Sequence, residues 1–158
     1  MMDHVVTTVT ATAMPTAVVR EATTWEAFPT LWRQLLDEVW AFVRGPASVA
    51  AGRNVMLYTD DTQNVEVGVE VSEAFAPSGR VVASALPAGR AARTVERGPP
   101  TPEGLAAAHA AVLRWCADNG EQTTGVRWEV YGHWNDDDPE GFETEIYWLL
   151  SATRSSAS

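Results

Sequence analysis

At 158 residues, 46% hydrophobic and 20% charged, the chain has the size and composition of one soluble globular domain, able to bury a core without disulfides or a structural metal. A formal charge of -10 repels phosphate backbones and anionic lipid, which argues against direct nucleic-acid or membrane binding and favours cationic or neutral partners. The single cysteine, Cys116, excludes an internal disulfide and fits a reducing, cytoplasmic compartment, and no targeting segment or bilayer-length apolar run is visible.

Residues 4–10 and 16–22 are rich in Val and Thr and are broken by Met14-Pro15, which predicts two strands around a turn. Thr23 and Glu26 have the spacing of a capping box. Phe28, Leu31, Trp32, Leu35, Val39 and Phe42 then recur at helical spacing until Gly45-Pro46 stops the helix. A hairpin follows, with a strand over 54–59, turn chemistry at Asp60-Asp61-Thr62-Gln63 and the alternating run Val65, Val67, Val69, Val71. Beyond Pro77-Ser78-Gly79 the series starts again: a strand over 80–86, a turn at Pro87-Ala88-Gly89 and a strand over 90–96. The second helix has Thr101 as cap, Pro102 at its first position and Glu103 complementing its dipole, and it runs to Gly120. Its apolar stripe is Leu105, Ala108, His109, Val112, Trp115 and Cys116. Strands over 126–134 and 142–150 are joined by Asn135-Asp136-Asp137-Asp138-Pro139, and 151–158 reads as a frayed tail.

Both halves therefore read strand, strand, helix, strand, strand, with Trp40 to Gly45 spaced as Trp115 to Gly120. The expected architecture is one α+β domain over 1–158, a duplication of halves 4–74 and 79–150 with an antiparallel sheet and two helices.

If strand register follows the turns, Val126, Trp128 and Val130 share a core face with Ile146, Trp148 and Leu150. The opposite face then carries Arg127, Glu129 and Tyr131 beside Glu143, Glu145 and Tyr147. In the first half the same rule groups Met56 and Tyr58 with Glu66, Gly68 and Glu70. Tyr58, Glu66, Glu129, Tyr131, Glu145 and Tyr147 would converge on one groove suited to a lipophilic cation, since ring faces attract cations by about 0.5–2 kcal/mol and a desolvated carboxylate needs a positive partner. The competing reading is a solvated face of an antiparallel sheet.

Gly125-Val126-Arg127-Trp128-Glu129-Val130-Tyr131 and Thr144-Glu145-Ile146-Tyr147, together with Leu86-Pro87-Ala88-Gly89 and Gly98-Pro99, resemble the GyrI-like superfamily, which includes the effector-binding domains of AraC-type and MerR-type regulators. That resemblance implies duplicated βαββ-type halves around a central cleft for hydrophobic, often cationic compounds. It implies a pocket-floor glutamate at Glu129, a second acid at Glu145, Tyr131 and Tyr147 beside them, and an aromatic wall at Trp25. Relatives often carry His-x-Gly-Pro-Tyr before the second helix, where this chain has Glu96-Arg97-Gly98-Pro99-Pro100. With no helix-turn-helix ahead of the first strand, a stand-alone version is expected.

Rival readings attach to the same residues. His109 and Cys116, seven apart on one helix face, read as a packed core pair rather than metal ligands, and the 136–138 acidic run as a solvated turn, so neither a metal nor a cofactor is expected. Sensing or sequestration of a small molecule is the leading function. A hydrolase opening cyclopropane-type DNA-alkylating compounds, with Glu129 or Glu145 as general acid or base, is the first alternative. An acidic protein-interaction module, such as a gyrase inhibitor with a protein partner, is the second.

Overall fold

The computed structural model describes residues 4–22, 28–45, 50–59, 64–73, 75–76, 79–132 and 136–151. In chain order the elements are β1 (Thr7–Ala11), β2 (Met14–Ala22), α1 (Phe28–Arg44), β3 (Ala51–Tyr58), β4 (Asn64–Val71), β5 (Val81–Leu86), β6 (Gly89–Arg97), α2 (Pro102–Asp118), β7 (Thr123–Tyr131) and β8 (Glu143–Leu150). The fold is α+β, as the alternation of periods in the sequence predicts. Two compact units are present: Thr12–Ala88, and Met1–Ala11 joined with Gly89–Ser158.

Each unit is a four-stranded antiparallel sheet with one helix, ordered β5-β2-β4-β3 in one and β1-β6-β8-β7 in the other. The plan is the same in both, with one exchange: β1 pairs with β6, and β5 pairs with β2. β1 and β2, read from the sequence as two strands around a turn at Met14-Pro15, therefore belong to different units, Met14 and Pro15 being the first residues of β2, and so do β5 and β6 on either side of Pro87-Ala88.

In the Thr12–Ala88 unit, Met56 stands opposite Val67 and Tyr58 opposite Val65, while Leu57 stands opposite Glu66. Directly opposed residues share a face. Met56, Tyr58, Val65, Val67 and Val69 thus lie with Ala17 and Val19 of β2. Helix α1 covers this face. Its Trp40 donates the indole N–H to Asn54 at 2.9 Å, and Arg80 ties Glu38 of the helix to Glu21 of β2. The helix buries Leu35, Leu36, Val39, Phe42 and Val43 at the predicted spacing, each worth about 1.5–3 kcal/mol.

The expected grouping of Tyr58 with Glu66 is therefore one residue out of step. Alternation fixes which residues of a strand share a face, but only the length of the connection fixes its partner's phase. Glu66 lies on the face away from α1, and Val65, Glu66, Val67 and Val69 are all buried, so β4 is covered on both sides.

The second unit repeats this lesson. Tyr131 stands opposite Thr144, Glu129 opposite Ile146 and Trp128 opposite Tyr147. Helix α2 lays Ala108, Val112 and Cys116 on Ala92, Ile146, Trp148 and Leu150, so Glu129 and Tyr131 lie beneath the helix. Glu145 and Tyr147 lie on the other face with Trp128 and Val130. The expected common face for Glu129, Tyr131, Glu145 and Tyr147 is corrected accordingly. The connection closing on Gly132 N–H to Glu143 O at 2.9 Å sets the phase, and Gly125, at φ +94, sits where the β7 pairing shifts between Thr123 and Arg127. The start of α2 matches its sequence signature: Thr101 Oγ1 accepts from Gly104 N–H at 3.0 Å, with Pro102 and Glu103 in the first turn.

Gly68 is fixed by close approach, because a Cβ there would stand 1.9 Å from the Ala17 carbonyl oxygen of the paired strand. Gly68→Ala is expected to cost about 1–3 kcal/mol through forced separation of β2 and β4, read as a lower urea midpoint. An unchanged midpoint would contradict this packing.

Candidate functional site

Beneath α2 runs a chain of four side chains. Trp148 Nε1–H donates to His109 Nδ1 at 2.9 Å, His109 Nε2 lies 2.7 Å from Glu129 Oε2, and Tyr131 O–H donates to Glu129 Oε1 at 2.6 Å. An indole N–H can only donate, so His109 Nδ1 must accept and the ring proton must sit on Nε2, directed at Glu129. The tautomer is thereby set by Trp148. Glu129, 4% exposed, has a donor at each carboxylate oxygen, as a buried carboxyl group requires. The Arg127 guanidinium lies 5.1 Å from the Trp148 ring centre at the far end of the chain. On the same face, Thr144 Oγ1 is buried without a hydrogen-bond partner among the described residues, in a row between Glu96 and Tyr131. His4 pairs with Glu96 at 2.6 Å.

On the opposite face Tyr147 stacks on Trp128, ring centres 5.0 Å apart and planes within 6°. Tyr147 O–H donates to Glu145 at 2.6 Å, while Arg93 of β6 places its guanidinium 3.3 Å from Glu145 and 5.8 Å from the Tyr147 ring centre. Burial pushes the Tyr147 hydroxyl up, and the carboxylate beside it adds to the shift against the opposing pull of Arg93. Burial works against the charge on Arg93, but the hydrogen bond to Tyr147 and the charge of Glu145 outweigh it, so the guanidinium is held protonated.

Glu66, in the other unit, accepts from Arg20 Nε at 2.8 Å and from Ser84 O–H at 2.7 Å. Tyr58 lies on the α1 side with its hydroxyl 3.7 Å from Met56 Sδ. Trp25 lies outside the described residues. Of the predicted site residues, Glu129 pairs with Tyr131 and Glu145 with Tyr147, while Glu66 and Tyr58 are parted by the sheet. The core-pair reading of His109 with Cys116 is also revised: Cys116 is buried, its thiol pushed up first by burial and then by the charge of Glu121, whereas His109 is spent on Trp148 and Glu129. Arg93, Trp128 and His109 were missed as site members. His109 carried a signal, since an imidazole on an otherwise apolar helical stripe requires a buried partner.

The sequence matches the family described as GyrI-like small molecule binding domain over residues 4–151. The chain belongs to that family. No curated protein matches it. Among solved structures, this GyrI-like chain is similar to the C-terminal domain of EcmrR, at 20% identity and TM-score 0.79, covering 96% of this chain and 100% of that one. It is similar to SAV2435 bound to tetraphenylphosphonium, at 13% identity and TM-score 0.60, covering 96% and 95%. It is also similar to a hydrolase from Listeria innocua, at 10% identity and TM-score 0.55, covering 94% and 93%. At these identities the likenesses speak to the fold. Among the described residues of this GyrI-like chain no helix is long and apolar enough to cross a membrane.

Removing His109 would take a donor from the buried Glu129 carboxylate and strand the Trp148 indole N–H. His109→Ala is expected to lower stability by about 2–4 kcal/mol, and Trp148→Phe, which strands only Nδ1 of a half-buried ring, by less beyond its packing loss. Urea melts of the two variants measure this, and a neutral outcome for His109→Ala would mean that Glu129 does not depend on it.

Proposed function

We propose that the chain is a receptor for lipophilic organic cations, serving in sensing or sequestration in the cytoplasm, and that Glu145, Tyr147 and Trp128 form its recognition surface. One observation carries the reading: a guanidinium, itself a flat delocalised cation, already lies against this carboxylate and ring. The surface thereby accepts the shape and charge proposed for the ligand. A carboxylate next to stacked rings rewards a cation twice, by ion pairing and by the ring quadrupole. Membership of a small-molecule binding family and the tetraphenylphosphonium bound by SAV2435 support the same class of ligand here. The net charge of -10 adds long-range attraction for cations and opposes binding to nucleic acid.

Tetraphenylphosphonium and the neutral triphenylphosphine oxide separate charge from bulk. In tryptophan-quenching titrations the cation is expected to bind the wild-type chain more tightly than the oxide, and Glu145→Gln to weaken the cation alone by about tenfold. Equal affinities for the two compounds, or an indifferent Glu145→Gln, would refute the reading.

A second reading rests on the Trp148–His109–Glu129–Tyr131 chain. A carboxylate flanked by an oriented histidine and a tyrosine has the make-up of an acid–base catalyst, and the likeness to a hydrolase from Listeria innocua is compatible with it. Glu129 would take a proton from water as its oxygen attacks a strained ring carbon, and the proton would return to the carbon released by the opening bond. Incubation with a cyclopropane-bearing alkylating compound is then expected to yield a product heavier by one water in the wild type and unchanged compound with Glu129→Gln. Recovery of unaltered compound from the wild type would dismiss this chemistry.

A further inference from the structure

The three acidic residues expected to await a cation all have internal partners, and these partners are not held alike. Glu129 has its two short bonds beneath α2, and the side chain of Glu66 is 10% exposed with Arg20 and Ser84 at 2.8 and 2.7 Å. Arg93 differs. Its nearest approaches to Glu145 and to the Tyr147 hydroxyl are both 3.3 Å, and the side chains of Arg93 and Glu145 remain 30% and 19% exposed. The tight bond in this cluster is the one from Tyr147 to Glu145 at 2.6 Å, which does not involve the guanidinium. Since β8 lies between β6 and β7, Arg93 and Trp128 approach Tyr147 from opposite sides, giving a row of guanidinium, phenol and indole across the sheet.

We propose that Arg93 is a resident competitor, and that the ligand is a planar aromatic cation that displaces its guanidinium and takes its place beside the Tyr147 ring, across from Trp128 and against Glu145. The idea rests on the reading of Glu145, Tyr147 and Trp128 as the recognition surface and adds a selection rule to it. A tethered guanidinium is always present at high local concentration, so a small hydrated cation offering only charge cannot outcompete it. A flat polycyclic cation can, because it supplies the same charge and adds ring overlap with Tyr147 in line with Trp128. The displaced guanidinium is already part-exposed and passes into water at little cost. A neutral polycycle gains the overlap but leaves Glu145 without its positive partner, and so is rejected.

Proflavine, planar and cationic, and acridone, planar and neutral, are suitable probes. Titrated by fluorescence, Arg93→Gln is expected to bind proflavine about tenfold more tightly than the wild type, while Arg93→Lys stays within about threefold of it and acridone remains the weaker ligand of either protein. In the wild type, the Arg93 Nε–H resonance should move when proflavine saturates the protein, an arm that decides the matter even where Arg93→Gln does not fold. Unchanged or weaker proflavine binding by Arg93→Gln, or an unmoved Arg93 signal at saturation, overturns the proposal. Tetraphenylphosphonium binding that depends on Glu145 would then leave the receptor reading standing, whereas failure of the wild type and Arg93→Gln to bind any of the cations removes both.

Discussion

A carboxylate in a sheet that is covered on both faces cannot rely on water for its charge, and this constraint organises the polar interior of the molecule. Glu66, Glu129 and Glu145 are flanked along their strands by buried residues, and each is met by a donor from another element: Arg20 and Ser84 for Glu66, His109 for Glu129 and Arg93 for Glu145, with Tyr131 and Tyr147 of their own strands completing the last two sets. Losing one partner of such a set leaves an uncompensated charge, which costs far more than the pair contributes when intact. The arrangement therefore pins side-chain rotamers across β6, β7, β8 and α2.

The two faces of the second unit divide the chemistry. Beneath α2 the donors are neutral, the bonds short and the carboxylate almost wholly enclosed, which suits proton transfer or rigid support. On the far face the donor is a cation, the contacts are longer and an aromatic stack lies alongside, which suits exchange of one cation for another. Trp148 and Trp128, offset by one residue in the pairing because Trp148 stands opposite Arg127, serve opposite sides of this division: one fixes a histidine tautomer, the other backs a phenol.

Much of this was legible in the residues. The valine alternation over 65–71, the Leu35, Val39, Phe42 stripe and the Thr101-Pro102-Glu103 start each encode a local period or cap, and such signals survive folding because they arise from backbone geometry. The acid and aromatic residues worth attention were also visible. Their grouping was not, because phase between strands is decided by the connections after Tyr58 and Tyr131, and one residue of slip moved Glu129 under a helix and Tyr58 away from Glu66. Partners supplied from distant positions, such as Arg93 for Glu145 and His109 for Glu129, leave no trace in local spacing at all.

The crossed placement of β1 and β5 sets where the chain can be divided. Cut between β4 and β5, each fragment would lose the outer strand that completes its sheet and would carry one that fits only its sibling.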